Sequence, residues 1–100
     1  MRTLSLQNNV ARHRYEAIED GEVVGFSEYN MLHDSIVFTH TEVLHEGKGV
    51  GSFLANGALD DARKQGKHVV PDRPFIAAHL RKHREFIDLV TPEVQRAFKV

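Results

Sequence analysis

The run "HTEVLHEGKGVGSFLANGALDDARKQG", from His40 to Gly66, decides the fold. Its first residues continue an alternating, strand-like pattern. From Val50 onward, Phe53, Leu54, Gly57, Ala58 and Ala62 recur at helical spacing, which predicts an amphipathic helix. Between the two lie Gly47, Gly49 and Gly51 at alternate positions, with Lys48 among them. The start of a helix presents unpaired N–H groups and the positive end of its dipole, so it attracts anions. Glycines let an anion approach the backbone closely, and Lys48 adds a point charge. The chemistry points to a di- or polyphosphate ligand on the loop from Glu46 to Ser52.

Working outward, the chain before this loop reads as strands. "RTLSLQ" and "RHRYEAIE" alternate apolar and polar residues, and the second stops at Asp20-Gly21, a hairpin signal. "EVVGFSEY" returns, "NMLHD" (Asn30 to Asp34) turns, and "SIVFTHTEVL" is a third long strand. Strict alternation there puts Ile36, Phe38, His40 and Glu42 on one face and Val37, Thr39, Thr41 and Val43 on the other. After the helix, Arg63, Lys64 and Lys67 suit the negative end of its dipole, and Gly66 is a natural terminator. "KHVVP" reads as a short strand closed by Pro71, and "RPFIAAHLRKH" as a second helix with Pro74 near its first turn. "EFIDLV" reads as another strand or an extended tail, and "TPEVQRAFK" as a third helix capped by Thr91. The order is α+β: an antiparallel meander followed by a β-α-β-α unit.

One hundred residues make one domain, 1–100, with a single core. A net charge of −1 gives no reason to expect nucleic acid or an anionic membrane as partner. With no cysteine, disulfides, thiol chemistry and cysteine zinc sites are excluded. The N-terminal "MRTLSLQNNVARHR" lacks the apolar region of a signal peptide, and no apolar run reaches membrane-spanning length. The expectation is a cytoplasmic domain whose oligomeric state the sequence leaves open, a monomer among the options. His79 and His83 stand at i, i+4 on a helix, a zinc-like spacing, but Arg81, Lys82 and Arg84 crowd the segment with positive charge, and no metal is expected.

Three phosphate readings compete for the glycine loop. A P-loop requires a Gly-Lys-Ser/Thr after four spacer residues, which is absent. A dinucleotide fingerprint begins at Gly47-Lys48-Gly49, with Asp72 at a suitable distance for a ribose, but Ser52 stands where its third glycine belongs. Coenzyme A is the third, its pyrophosphate suiting the same kind of loop.

The pattern Glu46-Gly47-Lys48-Gly49-Val50-Gly51 resembles the pyrophosphate loop of the GCN5-related (GNAT) acetyltransferases, with Glu46 in place of their usual Gln or Arg. More narrowly, "HTEV", "GKGVG", "VVP", "PF" and "HREFIDLV" resemble, in order and spacing, the minimal GNAT-like proteins of about a hundred residues, over residues 8–90. The resemblance implies a splayed gap between the strand ending near Leu44 and the strand from Lys67 to Pro71. The pantetheine arm of acetyl-CoA would lie in that gap, paired with the backbone of Val43 and Leu44. It implies that the amides of Gly47, Lys48, Gly49, Val50, Gly51 and Ser52 hold the pyrophosphate and that Phe75 packs against the arm. Arg73 joins this cofactor set, at a position where the subgroup commonly has a cysteine. Without a cysteine, no acyl-cysteine route exists in this chain.

Direct transfer to an amine requires a base, donors for the thioester carbonyl and neutralisation of the thiolate. Glu42, one residue before Val43, is the candidate base. His40, two residues earlier on the same face, is the candidate proton relay. Neither Tyr15 nor Tyr29, both in the meander, has a reason to reach the thioester. The reading is therefore an acetyl-CoA-dependent N-acetyltransferase whose amine acceptor is unnamed, a protein amine among the options. An acyl-CoA-binding module with little catalysis is the alternative, and a nicotinamide-cofactor protein a distant third.

Overall fold

A computed structural model of the chain describes residues 3–44 and 49–100. Five strands form one sheet in the order of the chain: β1 (Ser5–Asn9), β2 (Arg14–Glu19), β3 (Glu22–Met31), β4 (Ser35–Val43) and β5 (His68–Pro71). The first four pair antiparallel, and β4 pairs β5 in parallel. Between β4 and β5 the chain forms α1 (Val50–Lys64), then continues into α2 (Pro74–Lys82), six residues of 3₁₀ turns (Arg84–Leu89) and α3 (Pro92–Phe98). The α+β order of meander followed by β-α-β-α stands as read.

Local chemistry sets the joints. Asp20 and Gly21 take φ of 52° and 78°, giving the β2–β3 hairpin the backbone twist its strands require. Helix α1 ends on Lys64, with Gly66 at φ 68° beyond it. The Thr91 hydroxyl accepts from the Val94 N–H and starts α3, with Pro92 at its first position. Strand β1 begins three residues later than "RTLSLQ" suggests, and β3 runs on to Met31 before the chain turns.

The core lies between the sheet and α1. Leu54, Ala58, Leu59 and Ala62 are wholly buried, together with Tyr15, Ile36, Phe38 and Val69 from the sheet. A fully buried leucine contributes about 1.5–3 kcal/mol, so Leu54 and Leu59 anchor α1 strongly. Gly25 and Gly51 permit close approach here: a β-carbon on Gly25 would stand 2.7 Å from Val50 Cγ1 and 3.2 Å from the Glu42 carbonyl.

Two expectations fail. "EFIDLV" is 3₁₀ rather than extended, because that geometry turns Phe86, Leu89 and Val90 together into the core. The single face expected for Ile36, Phe38, His40 and Glu42 is broken in the middle of β4. Glu28 pairs with His40 but Tyr29 with Phe38, so Thr39 is an extra residue, a β-bulge. Ile36 and Phe38 face the core; beyond the bulge Val43 packs against that core, while His40 and Glu42 lie on the outer face and are exposed.

Candidate functional site

The bulge lies where β4 and β5 part. Their pairing ends at Phe38 and Pro71, followed by one last bond from the Asp72 N–H to the Phe38 carbonyl at 3.2 Å. Strand β4 then runs on to Val43 with no strand beside that edge among the described residues. The Leu44 N–H donates to the Val24 carbonyl at 2.8 Å. Since successive residues of an antiparallel strand direct their backbone groups to opposite sides, Val43 and Thr41 turn theirs toward the gap. Of the two residues expected to offer backbone there, Val43 is placed to do so and Leu44 has its amide already committed.

Helix α1 begins beside the end of this edge. Gly49 is its N-cap at φ 69°, in the left-handed region, and space within 4 Å of a β-carbon there is open. The first intrahelical bond runs from the Phe53 N–H to the Gly49 carbonyl at 3.0 Å. The amides of Val50, Gly51 and Ser52 are therefore left over, with no partner among the described residues. Among the described residues no side chain caps them, and no acidic residue occupies the first turn. An anion there gains about 0.3–1 kcal/mol from the dipole, and more when partly buried. Glu46, Gly47 and Lys48, the first half of the expected loop, lie outside the described residues.

Three expected residues meet at the mouth of the gap. A β-carbon on Gly51 would lie 3.0 Å from Phe75 Cζ and 3.7 Å from Val43 Cγ2, so the ring, the glycine and the strand edge are in contact range. From this point a cleft of about 200 Å³ runs between the helices, lined by Ser52, Phe75, Ala78, His79, Lys82 and His83. His79 is the buried member: its Nε2 and Asn56 Oδ1 are hydrogen-bonded at 2.9 Å, tying α2 to α1. The His83 ring stacks on it at 4.3 Å. Burial pushes the His79 pKa down, and the neighbouring His83 adds to this. Among the described residues no three His, Asp or Glu side chains converge as metal ligands.

The two candidate proton-handling residues lie on the outer face. His40 Nε2 is 3.7 Å from Glu42 Oε1, and each side chain is 50% exposed. An exposed pair at this distance contributes little to stability, which leaves both groups available to a reactant. Glu42 stands opposite Phe26 on β3, whose ring lies 4.3 Å under the Arg14 guanidinium. Both tyrosine hydroxyls are engaged elsewhere: Tyr15 donates to Asp61 Oδ2 and Tyr29 to Asn8 Oδ1, each at 2.6 Å. Burial raises the pKa of both.

Arg73 departs from its expected company. It is the N-cap of α2 and exposed, but it lines a different cleft, with Asp72, Arg81 and Lys99, and not the one with Ser52 and Phe75. Reading the sequence missed Asn56 as the partner of His79. Nothing in the sequence singled it out, since Asn56 lies with Ser52 and Arg63 on the polar side of α1, away from the buried stripe of Leu54, Ala58 and Ala62.

A family model described as GCN5-related N-acetyl-transferase matches residues 14–89. The match takes in β2 through the 3₁₀ turns, and so the parted strands, the start of α1 and α2. No curated protein matches the chain.

Proposed function

Given that the chain belongs to the GCN5-related N-acetyltransferase family, we propose that it binds acetyl-CoA and transfers the acetyl group directly to an amine. Family membership supports acyl transfer in general; the choice of acetyl-CoA, of an amine and of direct transfer is the proposal. The observation that carries it is the edge of β4 that, among the described residues, has no strand beside it and ends beside the uncapped start of α1 where β5 turns away. An extended amide-bearing arm fits a free strand edge, and a pyrophosphate fits free helix amides. These two features occur in the right order along one gap.

Acetyl-CoA would supply the acetyl group as a thioester. The chain's residues would do the rest. Val43 would align the arm by its backbone groups. Val50, Gly51 and Ser52 would hold the phosphates by their N–H groups, and Phe75 would cover the arm at the mouth of the gap. Glu42 would accept a proton from the acceptor ammonium, directly or through water, with His40 beside it to pass that proton to solvent. With both tyrosine hydroxyls held in the core-side network, the leaving sulfur would take its proton from the acceptor or from water.

The test compares thermal shifts with acetyl-CoA, coenzyme A and NAD, then measures thiol release against a panel of amines. The expected result is a shift with the two coenzyme A species, none with NAD, and turnover with at least one amine. Glu42→Gln should lower turnover at least about tenfold with affinity for acetyl-CoA unchanged, as loss of a general base does. Binding without turnover on any amine would favour the acyl-CoA-binding module; a shift with NAD alone would refute the proposal.

A further inference from the structure

The larger of the two clefts on either flank of α2 is not the one beside Ser52. It measures about 310 Å³, and its walls include Asp72, Arg73, Ala77, Arg81, Phe98 and Lys99. Pro74, Ala77 and Arg81 face this cleft, while Phe75, Ala78, His79 and Lys82 face the other. It starts where the gap opens, because Asp72 makes the last bond from the β5 side to β4.

Its charge is one-sided. Three cations, Arg73, Arg81 and Lys99, line it against one carboxylate, Asp72, in a chain whose net charge is −1. Arg81 is already committed. Its Nε and Nη2 donate to the carbonyls of Lys99 and Phe98 at 2.7 and 2.9 Å, closing the end of α3. Arg73 and Lys99 are not, since neither side chain has a hydrogen-bond or ion-pair partner among the described residues. Two unpaired cations facing a cleft with Ala77 and Phe98 in its walls are placed to receive an oxyanion on a small, partly apolar molecule. The volume lies at the small-molecule end of ligand pockets.

We propose that this cleft takes the acceptor, and that the acceptor is a small amine carrying a carboxylate or phosphate on the same molecule. This rests on the acetyl-transfer reading above. The cosubstrate would occupy the flank of α2 with Phe75, so the acceptor approaches from the other flank. Arg73 binds the oxyanion with its planar fork, Lys99 adds a second charge, and Asp72, at the gap end, attracts the ammonium. In the reaction the amine nitrogen forms the new N–C bond and the C–S bond breaks with its electron pair passing to sulfur. Of the two protons the ammonium gives up, one ends on the thiolate and one leaves to base and solvent.

Thiol release would be measured on the full chain with amines matched in pairs: β-alanine against β-alaninamide, and phosphoethanolamine against ethanolamine. The acidic member of at least one pair should have at least tenfold higher kcat/KM, and the two pairs separate carboxylate from phosphate. Arg73→Ala and Lys99→Ala should each raise KM for the acidic acceptor about fivefold or more, leaving KM for acetyl-CoA and for the neutral acceptors unchanged. Arg73→Lys should recover part of the loss. Neutral members used as well as or better than the acidic ones, or variants that leave the acidic KM unchanged, would overturn the proposal. A second arm needs no cosubstrate: titrating β-alanine and phosphoethanolamine into the labelled protein should shift the amides of Ala77 and Phe98 in the wild type and not in Arg73→Ala. If acetyl-CoA fails to bind but these shifts appear, the transfer reading falls and the oxyanion cleft stands; if the shifts are absent, the cleft proposal falls whatever acetyl-CoA does.

Discussion

Replacing Gly25 by Ala tests how the site is held together. Gly25 lies on β3 under the first turns of α1. The added β-carbon would stand 2.7 Å from Val50 Cγ1, 3.1 Å from Leu54 Cδ1 and 3.2 Å from the Glu42 carbonyl. Carbon atoms in contact prefer about 3.5–4.0 Å, so the first contact is too close by roughly 0.8 Å. Neither neighbour can swing into solvent, since Val50 is 2% exposed and Leu54 0%. Overpacking of this kind costs about 1–3 kcal/mol, and the stiffer unfolded chain returns about 0.4–1 kcal/mol. The net loss is about 1–2 kcal/mol, which for a domain of this size lowers Tm by roughly 5–15 °C. Because what must move is the start of α1 and the end of β4, acetyl-CoA affinity should fall with it. Circular dichroism melts and titration calorimetry measure the two effects. Val50→Ala in the same chain removes the clashing methyls, so the double variant should be more stable than the sum of the singles by at least about 0.5 kcal/mol. A Tm within about 2 °C of wild type, or strictly additive losses, would refute this account of how α1 seats on the sheet.

Further outcomes follow from the same geometry. Gly49→Asp adds a charge at the free amides in open space; it should abolish acetyl-CoA binding while costing about 1–2 kcal/mol for the left-handed backbone, and binding equal to wild type would move the phosphate site elsewhere. Tyr15→Phe removes the 2.6 Å, part-buried bond to Asp61 at the edge of the core; stability should drop by about 1–2 kcal/mol, as for loss of one hydrogen bond, with acetyl-CoA affinity unchanged. The His79 pKa is lowered on folding, so the folded state binds fewer protons than the unfolded chain, and this contribution to stability is present above about pH 6.5 and is lost as pH falls below it. Melts at pH 7.5 and 5.5 should show the loss, and His79→Gln should reduce it; an equal acid loss in that variant would place the cause at another group.

The elements most legible in the sequence were those fixed by short-range chemistry. Asp20-Gly21 specified a two-residue hairpin, Gly66 ended α1, and Thr91-Pro92 opened α3, because each acts through its own backbone angles or a bond to a near neighbour. The start of α1 at Gly49 and Val50 was legible for the same reason. The Thr39 bulge was not. It depends on how β4 meets β3, and alternation read along one strand assumes a constant period of two. Yet it is the bulge that moves His40 and Glu42 off the core side and onto the outer face. "EFIDLV" misled in a related way, since its apolar residues fit an extended pattern locally and only packing against α1 and α2 favours the 3₁₀ turns. Arg73 was placed in the cofactor set because it stands where the subgroup has a cysteine, but it is the extended N-cap of α2 and lines a cleft separate from the one lined by Phe75.

The most direct test of the central claim is an amide spectrum of the labelled protein titrated with acetyl-CoA. The account predicts that the largest changes fall on Val43 at the β4 edge and on Gly49, Val50, Gly51 and Ser52 at the start of α1, with Ala78 and Lys82 along the cleft. Asn8, on β1 at the opposite edge of the sheet, should hold still. Changes confined to the Arg73 and Lys99 cleft, or no change at millimolar acetyl-CoA, would contradict it.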